Sequence, residues 1–152
     1  KTLEKKEISK MLEFLNIAHY DLNYKESGQP FFKSNENLHI SISHSEGWFA
    51  LYLAERIIGV DIQVFKKSLS QGKSYFLNEK EMDWAEDDFS LQLIWCAKEA
   101  TFKKYGGIND LRNEVTITRI DQKAFSIELN YQEKIETLLF QTMRNTQLVY
   151  TI

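Results

Sequence analysis

The stretch NLHISISHSEGWFALYLAERIIGVDIQ, residues 37–63, decides the fold. Leu38, Ile40 and Ile42 alternate with His39, Ser41 and Ser43, the period of a half-buried strand. Glu46 and Gly47 turn the chain into WFALYLA (48–54), and AER leads on to IIGVDI (57–62). Three strands with short connections predict an antiparallel meander. Upstream, Ile8, Met11, Leu12 and Leu15 recur at helical spacing within 4–18, and KESGQPFF (25–32) reads as a turn. Downstream, Asn78 and Glu81 form a capping-box pattern that opens a helix over 78–86. Asp87 or Asp88 caps a second helix, roughly 89–105, with Leu91, Ile94, Trp95, Phe102 and Tyr105 as its apolar stripe. Gly106 and Gly107 stop that helix, and alternation returns at 114–120, 124–130, 137–142 and 147–152. The predicted class is therefore α+β, with mostly antiparallel sheets and packed helices.

The 152 residues suit a chain with a real hydrophobic core, at 43% hydrophobic and 27% charged residues. A formal net charge of −3 and no basic cluster on the aromatic strands argue against a nucleic-acid-binding role. No apolar run reaches the length of a membrane span. The single cysteine, Cys96, excludes an internal disulfide framework and a Cys-rich zinc site, and points to a reducing, cytoplasmic setting. The chain starts at Lys1 rather than methionine, which suggests a trimmed N-terminus.

Chemistry concentrates in three places. In LIWCAKEATFKKYGG (93–107), Glu99 and Lys103 stand four apart on one helix face, while Lys98 lies seven after Leu91, in line with the apolar stripe. A solvated ion pair with a snorkelling Lys98 and a functional cluster are equally good readings of that helix alone. The strand GVDIQ shifts the balance, because Asp61 sits within Ile57, Ile58, Val60 and Ile62, with Gln63 on its face. A carboxylate there is costly unless paired, hydrogen-bonded or metal-bound. Asp61 and Glu99 together can offer oxygen ligands to Mg²⁺, which takes one or two carboxylates plus substrate phosphates. In ISHS, His44 lies between Ser43 and Ser45 at a strand exit, where a structural histidine, a triad and a phosphate contact are all open. No G-x-S-x-G elbow supports the triad. His19, His39 and His44 lack a zinc spacing, and Cys96 reads as core.

The segments SGQP (27–30), ISISHS (40–45), IGVDIQ (58–63), FLNEKE (76–81) and WCAKEATFK (95–103) follow the order and approximate spacing of the 4′-phosphopantetheinyl transferases. The chain most resembles the larger type, which joins two similar halves. That resemblance implies Mg²⁺-dependent transfer of the 4′-phosphopantetheine arm of coenzyme A to a serine of an apo acyl or peptidyl carrier protein, releasing adenosine 3′,5′-bisphosphate. It implies metal binding by Asp61 and Glu99, with Gln63 beside them. It places Lys103 and Lys98 on the phosphate being substituted, Ser43 and His44 on the coenzyme phosphates, and Gly28 and Pro30 in a loop near the adenine. Asp61, Glu99 and Lys103 are the expected catalytic residues, Glu99 or a metal-bound water being the base.

The chain departs from the resemblance in two respects. Many members carry glutamate where Gln63 stands, so a weaker hold on Mg²⁺ is expected. Fewer residues precede the G-x-P loop than the larger type has. Residues 1–58 then read as a partial N-terminal half, helix plus hairpin, and 59–152 as the C-terminal half with the metal site. Lys1, Lys5 and Lys6 are either a remnant of a basic phosphate grip or a solvated helix end. Lys66, Lys67 and Lys73 are candidates for docking an acidic carrier. A catalytically weakened, carrier-binding relative is the alternative reading, opposed by the presence of Asp61, Glu99, Lys98 and Lys103. A complete two-half chain is expected to act as a monomer, whereas a shortened one exposes a strand edge on which copies can associate.

Overall fold

A computed structural model describes residues 2–18 and 21–152; Lys1 and His19 lie outside the described residues. The α+β expectation holds, and the sheets are antiparallel with helices packed on them. Helix α1 (Thr2–Phe14) precedes a small hairpin of β1 (Leu22–Tyr24) and β2 (Pro30–Phe32). The predicted turn at 25–32 thus gives its last three residues to a strand. Gly28, at φ 83°, supplies the left-handed residue of the turn that remains.

Strands β3 (His39–Ser45) and β4 (Trp48–Ala54) pair across a two-residue turn. Glu46 and Gly47 both adopt positive φ there, 45° and 86°, the conformation that suits a right-twisted hairpin. Strand β5 (Val60–Val64) does not complete the predicted meander. It forms the edge of a five-stranded sheet in the order β5-β9-β8-β7-β6, with β6 (Val115–Asp121), β7 (Ser126–Tyr131), β8 (Lys134–Met143) and β9 (Thr146–Thr151).

The reason lies in the serines of β3. The backbone N–H groups of Val60, Ile62 and Val64 donate to the hydroxyls of Ser41, Ser43 and Ser45, at 3.0, 3.2 and 3.1 Å. Each pair is 19 residues apart, so β3 and β5 advance in the same direction. Side-chain hydroxyls take the place that carbonyls hold in an ordinary ladder, and they satisfy the donors of a buried sheet edge. All three serines are therefore buried, although alternation had put Ser41 and Ser43 on the polar face.

Helices α2 (Lys67–Gln71), α3 (Lys73–Phe76) and α4 (Glu79–Met82) lead into α5 (Asp88–Tyr105), and one turn, α6 (Leu111–Glu114), opens β6. The capping box of Asn78 and Glu81 is present, and Asp87 caps α5 by accepting from Ser90 N at 2.9 Å. Helix α5 packs across the large sheet with Leu91, Leu93, Ile94, Cys96, Ala97 and Ala100 in the core. Phe102 and Tyr105, expected in the stripe, are each 40% exposed. A smaller apolar cluster of Ile8, Leu12, Phe32 and Ile40 holds α1 and the hairpins together. No helix among the described residues is long and apolar enough to cross a membrane.

Gly59 sets how closely α5 approaches β5. A Cβ there would lie 1.9 Å from the Ala100 carbonyl oxygen and 2.8 Å from Lys104 N. Its own N–H donates to Thr151 Oγ1 at 2.9 Å, so the strand cannot simply retreat. Gly59→Ala is expected to destabilise the fold by about 2–3 kcal/mol, as overpacking against backbone does. Urea unfolding measures this, and an unchanged midpoint would mean that the helix is not seated on this glycine.

Candidate active site

Because Gly59 admits α5, Asp61 on β5 meets the last turns of that helix. Asp61 is 6% exposed, and its Oδ1 accepts from Ser43 Oγ at 2.7 Å and from Lys103 Nζ at 2.8 Å. Glu99 lies one helical turn before Lys103 and close enough for both to act on it electrostatically. Burial raises the Glu99 carboxyl above its ordinary range, the Asp61 charge raises it further, and Lys103 partly offsets both. Of the two readings of this helix, the solvated Glu99–Lys103 pair gives way to Lys103–Asp61, with Glu99 alongside.

A cleft of about 300 Å³ opens over this cluster, lined by Ser43, His44, Gly28, Pro30, Asp61 and Lys103. Glu4 and Tyr24 also line it, and neither was legible as a site residue. His44 stands at its rim, with Nε2 3.4 Å from Glu4 Oε1 and its ring 5.9 Å from that of Phe49. A neighbouring cleft of about 240 Å³ shares Gly28, Pro30, Ile42 and Lys103 and extends to Phe102, Gly106 and Gly107. Gln63 follows Asp61 on β5, and its Nε2 donates to Ser45 Oγ (3.2 Å) and to its neighbour's carbonyl, Val64 O (2.8 Å).

Lys98 is not brought to the cleft. Its ammonium is fully buried against Glu81 Oε2 at 2.8 Å and the carbonyls of Phe76 (2.7 Å), Leu111 (3.1 Å) and Arg112 (3.3 Å). Glu81 completes the knot by accepting from Asn78 N at 2.9 Å and Ile117 N at 2.7 Å. Burial pushes the Lys98 ammonium below its usual range, and Glu81 opposes that shift. The expected phosphate contact is corrected to a structural one that joins α3, α4, α5, α6 and β6. Cys96 is fully buried, and burial raises its thiol well above the ordinary range, consistent with packing rather than nucleophilic chemistry.

The donor set discriminates among metals. Asp61 and Glu99 are hard oxygen donors, and among the described residues no group of three or more His, Cys, Asp or Glu could enclose an ion. Two carboxylates near a cleft suit Mg²⁺, which completes its shell with water and substrate phosphate, and do not suit a closed zinc site.

No protein-family model matches the chain. The 4′-phosphopantetheinyl transferase of Bacillus subtilis is 27% identical over 124 residues, covering 76% of this chain and 54% of that protein. The 4′-phosphopantetheinyl transferase gsp of Aneurinibacillus migulanus is 25% identical over 104 residues, covering 63% of this chain and 43% of that protein. These distant likenesses support membership of the 4′-phosphopantetheinyl transferase superfamily and a fold of that kind. The chain spans about half the length of the curated relatives it matches.

Two variants probe the charges. Lys98→Met would leave the Glu81 carboxylate buried without a cation, an expected loss of about 3–5 kcal/mol in urea unfolding. A variant as stable as the parent would reopen a role for Lys98 in the cleft. For Glu99, a folded pKa above the ordinary 4.5 means that the native state holds the proton more tightly than the unfolded chain. Its ionisation therefore weakens the fold as pH rises from about 4.5 through the folded pKa. Glu99→Gln should gain stability over the parent at roughly pH 7 and lose that gain at roughly pH 4. The reverse trend would show that Lys103 outweighs burial.

Proposed function

We propose that this protein transfers the 4′-phosphopantetheine arm of coenzyme A to a serine hydroxyl of an apo acyl or peptidyl carrier protein, using Mg²⁺ held by Asp61 and Glu99. The observation that carries this reading is the convergence of Asp61, Glu99 and Lys103 beside a cleft lined by Ser43, His44, Gly28 and Pro30. The likeness to two phosphopantetheinyl transferases supports it.

Bound Mg²⁺ would neutralise and orient the diphosphate. The protein's own residues do the rest. Lys103 lies at the cleft with its ammonium already beside Asp61, where it can meet charge developing on a phosphate. The Glu99 carboxylate, where the metal leaves it free, or a water held at the site is the candidate to take the proton of the carrier serine. The serine oxygen forms the new P–O bond to the phosphate bearing the pantetheine. The bond to the adenosine-side phosphate breaks, and adenosine 3′,5′-bisphosphate leaves with the electron pair. His44 at the rim offers a donor to phosphate oxygens, and Gly28 and Pro30 shape the wall near the nucleoside.

Ser43 has a different part from the one expected. Its hydroxyl already donates to Asp61 and accepts from Ile62 N, so it positions the carboxylate. Gln63, with its amide nitrogen held locally, adds a neutral neighbour to the metal ligands and no charge. Lys66, Lys67 and Lys73 are exposed around α2 and α3, Lys66 also lying 3.5 Å from Glu46 Oε1, and these cations suit an acidic carrier. We read residues 1–58 as a partial N-terminal half and 59–152 as the C-terminal half of this reaction's scaffold, working in the cytoplasm.

The test incubates the protein with coenzyme A, Mg²⁺ and an apo carrier protein and follows the carrier's mass. Addition of the phosphopantetheine arm is expected, and Asp61→Ala and Glu99→Ala should each slow it by at least about 10²-fold. Transfer that persists in both variants would overturn the site. Binding without transfer to any carrier would favour a carrier-binding relative.

A further inference from the structure

We infer that Lys103 is a built-in counter-ion that occupies the cation's place on Asp61 until a divalent ion displaces it. The inference rests on the metal-site reading above and adds a coupling to it. A carboxylate oxygen has two lone pairs, and both on Asp61 Oδ1 are engaged, one by Ser43 Oγ at 2.7 Å and one by Lys103 Nζ at 2.8 Å. The two contacts differ in kind. Ser43 is 5% exposed and is also bonded to Ile62 N, so it is fixed to the strand. The Lys103 side chain is 25% exposed and lies at the mouth of the cleft, on a long flexible stem. Of the two partners, only Lys103 can leave without disrupting β3 and β5.

A cation that seats on Oδ1, rather than on the carboxylate's second oxygen, turns Lys103 off it. The freed ammonium needs a new anionic partner, and a phosphate in the cleft supplies one. Cation and phosphate then favour each other's binding, and by reciprocity the coupling is equal in both directions. The resting pair also keeps two adjacent carboxylates, Asp61 and Glu99, from facing each other uncompensated.

The experiment uses Mn²⁺ alone, with no coenzyme and no carrier. Calorimetric titration of the parent, Lys103→Met and Lys103→Gln is expected to show tighter Mn²⁺ binding in both variants, by roughly two- to fivefold. Asp61→Asn should abolish binding in each background. In the parent, Mn²⁺ should also speed reductive methylation of Lys103, localised by tandem mass spectrometry with Lys104 as the internal reference. That readout needs no substitution. If Mn²⁺ binds through Asp61 but the variants bind no more tightly, or if Lys103 labelling is unchanged, the displacement is wrong while the metal site stands. If no protein shows Asp61-dependent Mn²⁺ binding, the metal site itself is wrong and the inference falls with it.

Discussion

The hydroxyl of Ser43 holds two things at once. It accepts the Ile62 N–H, joining β3 to the edge of the large sheet, and it donates to Asp61, fixing the carboxylate that the site is built on. Fold and site thus share one atom. The neighbouring serines extend the same device along the strand, so that every second residue of β3 replaces a main-chain acceptor. A serine hydroxyl can accept and donate together, which a carbonyl cannot. That difference lets the strand junction carry a buried carboxylate without leaving a buried donor unpaired.

Gly59 supplies the other half of the constraint. With the strand edge fixed by serines and by Thr151, the helix can reach Asp61 only if residue 59 has no side chain. The G-x-D spacing is then a mechanical requirement. The glycine removes the obstacle, and the residue two further along the same face is the one that meets the helix. Gln92 reinforces the seat, its amide donating to the Gln63 carbonyl and, at 3.2 Å, to Asn145 O.

Much of this was legible in the sequence because it depends on local period. Alternation located the strands of the hairpin and of the large sheet, and the Asn78–Glu81 spacing announced its capping box. Pairing between distant strands was not legible. Connection length predicted that β5 would join β4, whereas β5 pairs with β9, at the far end of the chain. The serines misled for a related reason, since a hydroxyl facing solvent and one facing a backbone donor leave the same pattern. Lys98 shows a different limit. Lys98 and Glu99 are adjacent in the motif, yet neighbouring helical residues point about 100° apart. Glu99 and Lys103, four apart, share a face turned toward Asp61, and Lys103 reaches the cleft, while Lys98 turns to the core and meets Glu81. The i, i+4 spacing was the reliable guide, and adjacency within a motif was not.

The two lysines of α5 also solve opposite electrostatic problems. The Lys98–Glu81 pair is closed, with matched charges, saturated hydrogen bonds and no exposure, so nothing is left for a ligand to gain. The Lys103–Asp61 pair is open, because Glu99 adds a second carboxylate that one ammonium cannot fully balance. An imbalance of that kind costs stability in the resting protein, and a divalent cation accompanied by phosphate can relieve it. Sites built to bind commonly accept such local instability, while the surrounding fold carries the compensation. Here the compensation is near at hand. The buried Lys98–Glu81 knot and the α5 core residues anchor the same helix that carries Glu99 and Lys103, so the unbalanced charge beside the cleft rests on a well-packed support.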